Sequence, residues 1–482
     1  MNQRRQSLNL ILVGVVACFV LSGFAALLYQ TAWMRQFSLV FGTSELAVAA
    51  VLAAYMGGLS LGASLAARFV HRISRPVLFY GLLEAGIAVS ALAVPLLLQT
   101  ASFLYISIFG GQPEPVDASG LGQSFFYLVI AFVVLALPTS FMGATLPLLT
   151  KYVVRSKDQI GSRVGLLYAS NTLGAIGGTV VAGFVLLPTL GLRGTVWVGV
   201  AINLLVFVLA ALIARQIGNR EQLNQENPMA EQTQTEDSMA ESPAPKFRLW
   251  ILPLMLISGA NSFVYEVLWT RLLGHILGGS ITAFATMLAG FLSGIAIGSA
   301  IASRFARTRA QATHGFIGVQ CGIAVASMLI YQLLPLAIPE TAGLKGNVWL
   351  AFMVLLPATI FIGATFPLAV RILASSKIDA APAAAKIYSW NTVGAIVGAT
   401  LAAFFLIPLL KYEGAIKVAV ALNACLALAV ATLFGNRNKG VIAGTLVFVV
   451  GILVLYQPKM PEAILRASPV YAQSGGEIIF YE

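Results

Sequence analysis

Charge is what this chain of 482 residues most lacks: Asp, Glu, Lys and Arg together make up 10% of it. Soluble domains carry about 25%, so a water-facing globular surface is excluded and a chain crossing a membrane many times is expected. Acidic residues number 18 against 29 Lys and Arg. The basic excess is scattered between apolar runs rather than gathered on one face, which argues against nucleic acid. Only three histidines and three cysteines occur. His71, His275 and His314 fall in loops or at helix ends without a second ligand nearby, and Cys18, Cys321 and Cys425 sit inside apolar segments without metal-ligand spacing. No metal and no cofactor are expected. The glycine-rich, Walker, Gly-x-Ser-x-Gly and His-Glu-x-x-His signatures of soluble enzymes are also missing.

What is present is a stretch that occurs twice. At a constant offset of 236 residues, Ser22-Gly23 matches Ser258-Gly259, Tyr29 matches Tyr265 and Trp33 matches Trp269. Arg35/Arg271, Gly42/Gly278, Gly58/Gly294, Gly62/Gly298 and Arg68/Arg304 continue the same register. Further on the offset is 220: Phe141 to Pro147 matches Phe361 to Pro367, and the block from Tyr168 to Ile176 matches that from Tyr388 to Ile396, followed by Pro188/Pro408 and Asn203/Asn423. Two copies of one unit make up the chain.

A hydrocarbon core asks for about 20 apolar residues per helix. Thirteen segments qualify, at roughly 9–32, 44–69, 76–101, 123–150, 163–187, 192–214, 249–271, 280–305, 314–338, 347–373, 386–410, 413–434 and 440–457. The first is too long for a signal peptide, and its repeat copy lies in mid-chain. Cation-rich loops at 68–75, 151–157, 303–309, 371–386 and 436–439 predict a cytoplasmic N-terminus in a cell inner (plasma) membrane. The expected organisation is a six-helix repeat at 1–214, a polar cytoplasmic linker at 215–248, a second six-helix repeat at 249–434, a thirteenth helix at 435–457 carrying the chain to the far side, and the start of a further domain at 458–482. Breaks are predicted at 110–120 and 188–194. Both repeats start and end on one side, so they are parallel repeats about an axis along the membrane normal.

Small-residue pairs one turn apart, Gly58/Gly62, Gly174/Gly178, Gly294/Gly298 and Gly394/Gly398, are read as helix-packing sites. Pro138, Pro147, Pro357 and Pro367 predict kinks in the fourth and tenth helices, which serve either as shape or as cavity lining. Ionisable groups at membrane depth are costly and point to function. Glu84 and Glu266 are the two that matter. Glu84 maps onto Gln320 and Glu266 onto Gln30, so each half holds one Glu and one Gln with the roles exchanged. One reading brings these four together near the pseudo-twofold axis as a site for a small cation, with Tyr29, Tyr265, Trp33 and Trp269 offering aromatic faces. The other has the two glutamates neutralise Arg35 and Arg271 and lock helices together. Asn171 and Asn391, each one turn from Tyr168 or Tyr388, either bond across helices or line the same cavity. Trp33, Trp269 and Trp390 also suit interfacial anchors.

The layout of six helices, a polar loop and six helices resembles the major facilitator architecture over about residues 9–434. Of the motif which that family shows after its second helix, Gly62, Arg68 and Arg72 are present and the Asp is absent. The paired Ser-Gly-x5-Tyr-x3-Trp-x-Arg, Gly-Ala-Thr-x-Pro and Tyr-x-x-Asn-Thr-x-Gly-Ala blocks resemble the multi-pass region of spermidine synthase-like fusion proteins. The stretch from Ser468 to Glu482 looks like the lead-in to their aminopropyltransferase-like domain. That resemblance implies a polyamine as the cationic ligand and association with a synthase-like soluble domain. No catalytic residue of such a domain lies within this chain. Two functions are therefore expected: a transporter-like core that binds or moves a polyamine or other small cation, or a membrane anchor for the enzyme domain without transport.

Overall fold

The computed structural model describes residues 2–41, 45–109, 121–225, 246–278, 280–337, 344–435 and 438–459. Over these residues the chain is helical, and no strand occurs among them. The first half comprises α1 (Asn2–Phe41), α2 (Glu45–Phe69), α3 (Pro76–Phe109), α4 (Leu121–Val153), α5 (Ile160–Val181) and α6 (Leu187–Gln225). The second comprises α7 (Ile251–Leu277), α8 (Ile281–Phe305), α9 (Arg309–Ala337), α10 (Leu344–Leu373), α11 (Lys377–Leu401) and α12 (Ile407–Phe434). A last helix, α13 (Lys439–Leu455), follows. The break at 110–120, most of the polar linker and the expected start of a further domain from residue 460 on lie outside the described residues.

The break expected at 188–194 is present and very short, centred on Gly191 (φ 65°, ψ −172°). A π-helical turn over Ala182–Leu186 leads straight into α6, and Gly191 (φ 65°) bends that helix internally. The second half repeats both features, with a π turn over Ala402–Leu406 and a bend at Lys411 (φ 58°). The Pro and Gly punctuation thus becomes a sharp one-residue break in each half, where the backbone leaves helical geometry at Gly191 and at Lys411.

Glycine sets how closely the helices approach. A Cβ on Gly58 or Gly62 would collide with Thr139 or with the backbone of Ser140 on α4. Gly294 and Gly298 stand in the same relation to Thr359 and Ile360 on α10. Gly174 and Gly178 touch the backbone of α1, and Gly394 and Gly398 that of α7. Lipid tails are as apolar as leucine, so such close backbone contact is what associates helices in a membrane.

The core divides unevenly along the membrane normal. One apolar cluster draws on both halves and joins Leu149, Ile160 and Val164 to Ala302, Ala306, Phe366 and Ala384. It lies beside the cation-bearing loops. Toward the opposite end each half keeps its own cluster, one around Trp33, Tyr127 and Val196 and the other around Trp269, Tyr331 and Tyr412. Across the joined end, Ser60 and Ser64 bond Ser389 at 2.9 and 2.7 Å, and Ser299 donates to the Gly165 carbonyl at 3.0 Å.

A cation holds the loop after α2, where the familiar Asp is missing. Lys151 Nζ donates to the carbonyls of Val70, His71 and Ile73 at 2.9, 3.1 and 2.8 Å. Arg371, its repeat mate, donates to the Arg307 carbonyl at 3.0 Å. Cations at helix C-termini satisfy orphan carbonyls and complement the helix dipole.

Helix α13 packs along α12. Its first turn is capped by the Asn438 side chain, which accepts from the amides of Gly440 and Val441. Beyond its last turn, Gln457 Oε1 accepts from Lys417 Nζ at 2.9 Å, and the Lys459 carbonyl accepts from the Tyr331 hydroxyl at 3.2 Å. The seventeen residues of α13 rise about 25 Å at 1.5 Å each, and they carry the chain from the cation-bearing end to the other.

Candidate functional site

Between the two separate cores, and above the joined end, lies a cavity of about 190 Å³. Its walls come from α1, α2, α4 and α5 of the first half and from α7, α8 and α11 of the second. Among the repeat-related pairs that face it, four have polar side chains in both halves: Gln30 and Glu266, Tyr168 and Tyr388, Asn171 and Asn391, Thr172 and Thr392. The i, i+3 and i+4 spacing on α5 and α11 puts Tyr, Asn and Thr on one helical face, which explains their joint appearance. Beneath them Phe366 stacks on Tyr168 with ring centroids 4.6 Å apart and meets Tyr388 edge-on at 6.2 Å, closing the floor. Tyr55, also in the wall, donates its hydroxyl to the Ala26 carbonyl at 3.2 Å. The remaining wall is mostly aliphatic.

Glu266 is the one carboxylate among the lining residues. It is partly open to the cavity and has no ion-pair partner among the described residues. Its mate Gln30 is a neutral amide on the facing wall and is largely buried. The closest helix approach below them is set by Gly23 and Gly259, where a Cβ would collide with the backbone of Asn171 or Asn391. The Ser-Gly pair that heads each repeated block therefore seats α5 and α11 so that their asparagines reach the cavity.

The structure separates the other sequence candidates from this site. Glu84 and Gln320 do not converge with Gln30 and Glu266; each is fully buried inside its own half. Asn203 Nδ2 donates to Glu84 Oε2 at 2.6 Å, and Asn423 Nδ2 donates to Gln320 Oε1 at 2.5 Å. The reason is geometric, since α3 packs on α6 and α9 on α12, away from the axis between the halves. Neutralisation of Arg35 by Glu84 is likewise not what is found: the carboxylate pairs with an amide. Tyr29, Trp33, Tyr265 and Trp269 are neither cavity faces nor interfacial anchors. All four are sealed in the separate cores, with Tyr29 stacked on Trp33 at 5.0 Å. Trp390 is partly exposed on α11. Of the cysteines Cys18 is buried, whereas Cys425 is exposed on α12.

Tyr55, Phe19, Phe263 and Phe291 are aromatic wall residues that sequence reasoning missed, as is Phe366, which packs behind Tyr168 and Tyr388. Tyr55 has no tyrosine mate, since its position in the second half is Phe291, another wall residue. An aromatic ring retained at one position in both halves is the signal that finds it.

No protein-family model and no curated protein matches the chain. Solved structures do share its fold. A bacterial homologue of the iron transporter ferroportin, in an outward-facing state, aligns over 88% of this chain and 100% of its own with a TM-score of 0.56 and 12% identity. The same protein soaked with iron aligns over 88% and 99% with a TM-score of 0.55 at 12% identity. The human organic anion transporter MFSD10 (TETRAN) aligns over 86% and 99% with a TM-score of 0.54 at 13% identity. The chain shares the helical fold of these solved membrane-protein structures.

Proposed function

We propose that the protein is a transporter that admits a small organic cation to the cavity between its halves. The observation that carries this reading is Glu266, a carboxylate in a largely apolar cavity without a cation of its own. An ionised group at membrane depth without compensation is costly, and a cationic substrate supplies the compensation. Gln30, Asn171 and Asn391 orient the substrate by hydrogen bonds, and the rings of Tyr55, Tyr168 and Tyr388 offer π faces to its charged end.

Size and charge narrow the substrate. The cavity volume of about 190 Å³ slightly exceeds the roughly 150 Å³ cavity that accepts benzene. One carboxylate balances one positive charge, so a singly charged amine or quaternary ammonium fits better than a fully protonated polyamine. A polyamine, the ligand that the sequence resemblance implies, would place one ammonium on Glu266 and leave the rest of its chain toward the open end. Three His, Cys, Asp or Glu side chains do not gather anywhere among the described residues, which speaks against a transition metal as cargo. The positive loops support an orientation with the joined end in the cytoplasm and the cavity facing out. Opening the joined end while closing the other would complete transport.

A second reading, a membrane anchor for an aminopropyltransferase-like domain, is favoured by α13, which lies outside the six-plus-six core and delivers the chain to the far end. Binding decides between them. In detergent, calorimetric titration with tetraethylammonium and with spermidine is expected to show the monovalent cation bound and Glu266→Gln weakened by at least about tenfold, as a hydrogen bond to a charged group is worth about 1.5–3 kcal/mol. Equal binding by the folded variant, or none by the native protein, would leave the anchor reading.

A further inference from the structure

The same three-helix triad occurs in both halves. Ser22, Glu84 and Asn203 on α1, α3 and α6 correspond to Ser258, Gln320 and Asn423 on α7, α9 and α12. In the second half every member is satisfied. Gln320 Nε2 donates to Ser258 Oγ at 3.0 Å, Asn423 Nδ2 donates to Gln320 Oε1 at 2.5 Å, and a fourth side chain completes the set. Asn261 Nδ2 donates both to Asn423 Oδ1 at 2.5 Å and to the Ala419 carbonyl at 2.8 Å.

In the first half the amide donor of that fourth side chain is missing, and besides Asn203 the hydroxyls of Ser22 and Tyr80 stand near the carboxylate. The position of Asn261 is occupied by Ala25, which is fully buried. The Asn203–Glu84 bond is retained at 2.6 Å, yet Glu84 Oε1 and Asn203 Oδ1 are left without a hydrogen-bond partner. Both residues are 0–1% exposed. The Tyr29 hydroxyl, one turn beyond Ala25, is unpartnered like that of its mate Tyr265, but it lies against Gly199, the residue matching Ala419, on the same side as the Glu84–Asn203 pair. Buried acceptors in native proteins are almost always satisfied, and a set of orphans indicates a missing water or ion. Here one orphan belongs to a carboxylate. The titratable groups facing it are Cys18 and Tyr29 from α1 and Tyr80 from α3, and none of them is a cation.

We propose that this triad is a binding site for a small monovalent cation, sodium, held by Glu84, the Asn203 side-chain oxygen and the hydroxyls of Ser22 and Tyr29. The ion stands where the second half places the Asn261 amide, and hard oxygen donors of this kind suit an alkali ion. Ser22 also lines the central cavity, so it joins the site to the path by which an ion enters. The site does not depend on whether an organic cation is carried, since its ligands other than Ser22 lie outside the cavity wall.

The test is the thermal unfolding midpoint of the purified protein in detergent, in sodium chloride against choline chloride at equal ionic strength and fixed pH. A ligand that binds only the folded state raises the midpoint as its concentration grows. The native protein is expected to gain several degrees in sodium. Glu84→Gln is expected to lose that gain. Ala25→Asn combined with Glu84→Gln rebuilds the network of the second half, and this variant is expected to unfold at or above the native midpoint with no response to sodium. The proposal is overturned if the native protein and the double variant respond alike to sodium. A native midpoint that follows pH and ignores sodium also overturns it, and assigns the charge of Glu84 to a proton.

Discussion

The two halves of the molecule share a backbone plan down to the π turn before α6 and α12, and they differ in where each puts its carboxylate. The second half places its glutamate on α7 at the cavity wall and keeps a neutral amide between α9 and α12. The first half does the reverse. Duplicated halves that retain one acid each at exchanged positions have divided two tasks: one charge faces the space between the halves, the other is sealed within a single half. The fold accommodates an amide or an acid at either place.

The largest effect is expected from moving the cavity charge. Glu266→Gln with Gln30→Glu transfers the carboxylate to the facing wall, and it should restore much of the cation binding that Glu266→Gln alone removes. Titration of both variants checks this; a double variant as weak as the single one would show that the position, and not only the charge, matters. Next comes helix contact. Gly62→Val and Gly298→Val press a side chain into backbone at Ser140 and Ile360, and each should cost about 1–3 kcal/mol or more, read as equal losses of midpoint if the halves are mechanically equivalent. Smaller still is the loop clamp. Lys151→Met removes three bonds to carbonyls and should destabilise by about 1.5–3 kcal/mol, seen as faster proteolysis at 70–75 with cation binding retained. The smallest change goes the other way. Lys411 (φ 58°, ψ −173°) occupies backbone space suited to glycine, as in its mate Gly191, so Lys411→Gly should stabilise by about 1 kcal/mol, measurable as a rise in midpoint.

Much of this architecture was legible in the residues. The two offsets carried the six-plus-six plan, and the described parts of all thirteen apolar segments are helical. Tyr168, Asn171, Tyr388 and Asn391 share one helical face by spacing alone, and the cavity is where that face points. The partition of the four Glu and Gln residues was not legible, because depth along a helix says nothing of azimuth, and α3 and α9 turn these side chains toward α6 and α12. Tyr29 and Trp33 misled for a related reason: an aromatic near a helix end suits an interface, a cavity or a core equally, and only the packing of α1 against its neighbours chooses. The break predicted at 188–194 is found at Gly191, but Pro and Gly signal an interruption of helix without saying how small that interruption is.

Small residues at the joined end bear on how the molecule responds to heat. Gly161 abuts Ala306, Gly165 abuts Ser299, Ser303 and Pro367, and Ser389 meets Ser60 and Ser64. These small contacts sit beside the apolar cluster shared by both halves, and the heat capacity of a conformational change scales with the apolar area that meets water. On the transporter reading, an opening of the joined end should therefore shift with temperature as well as with ligand and ion concentrations.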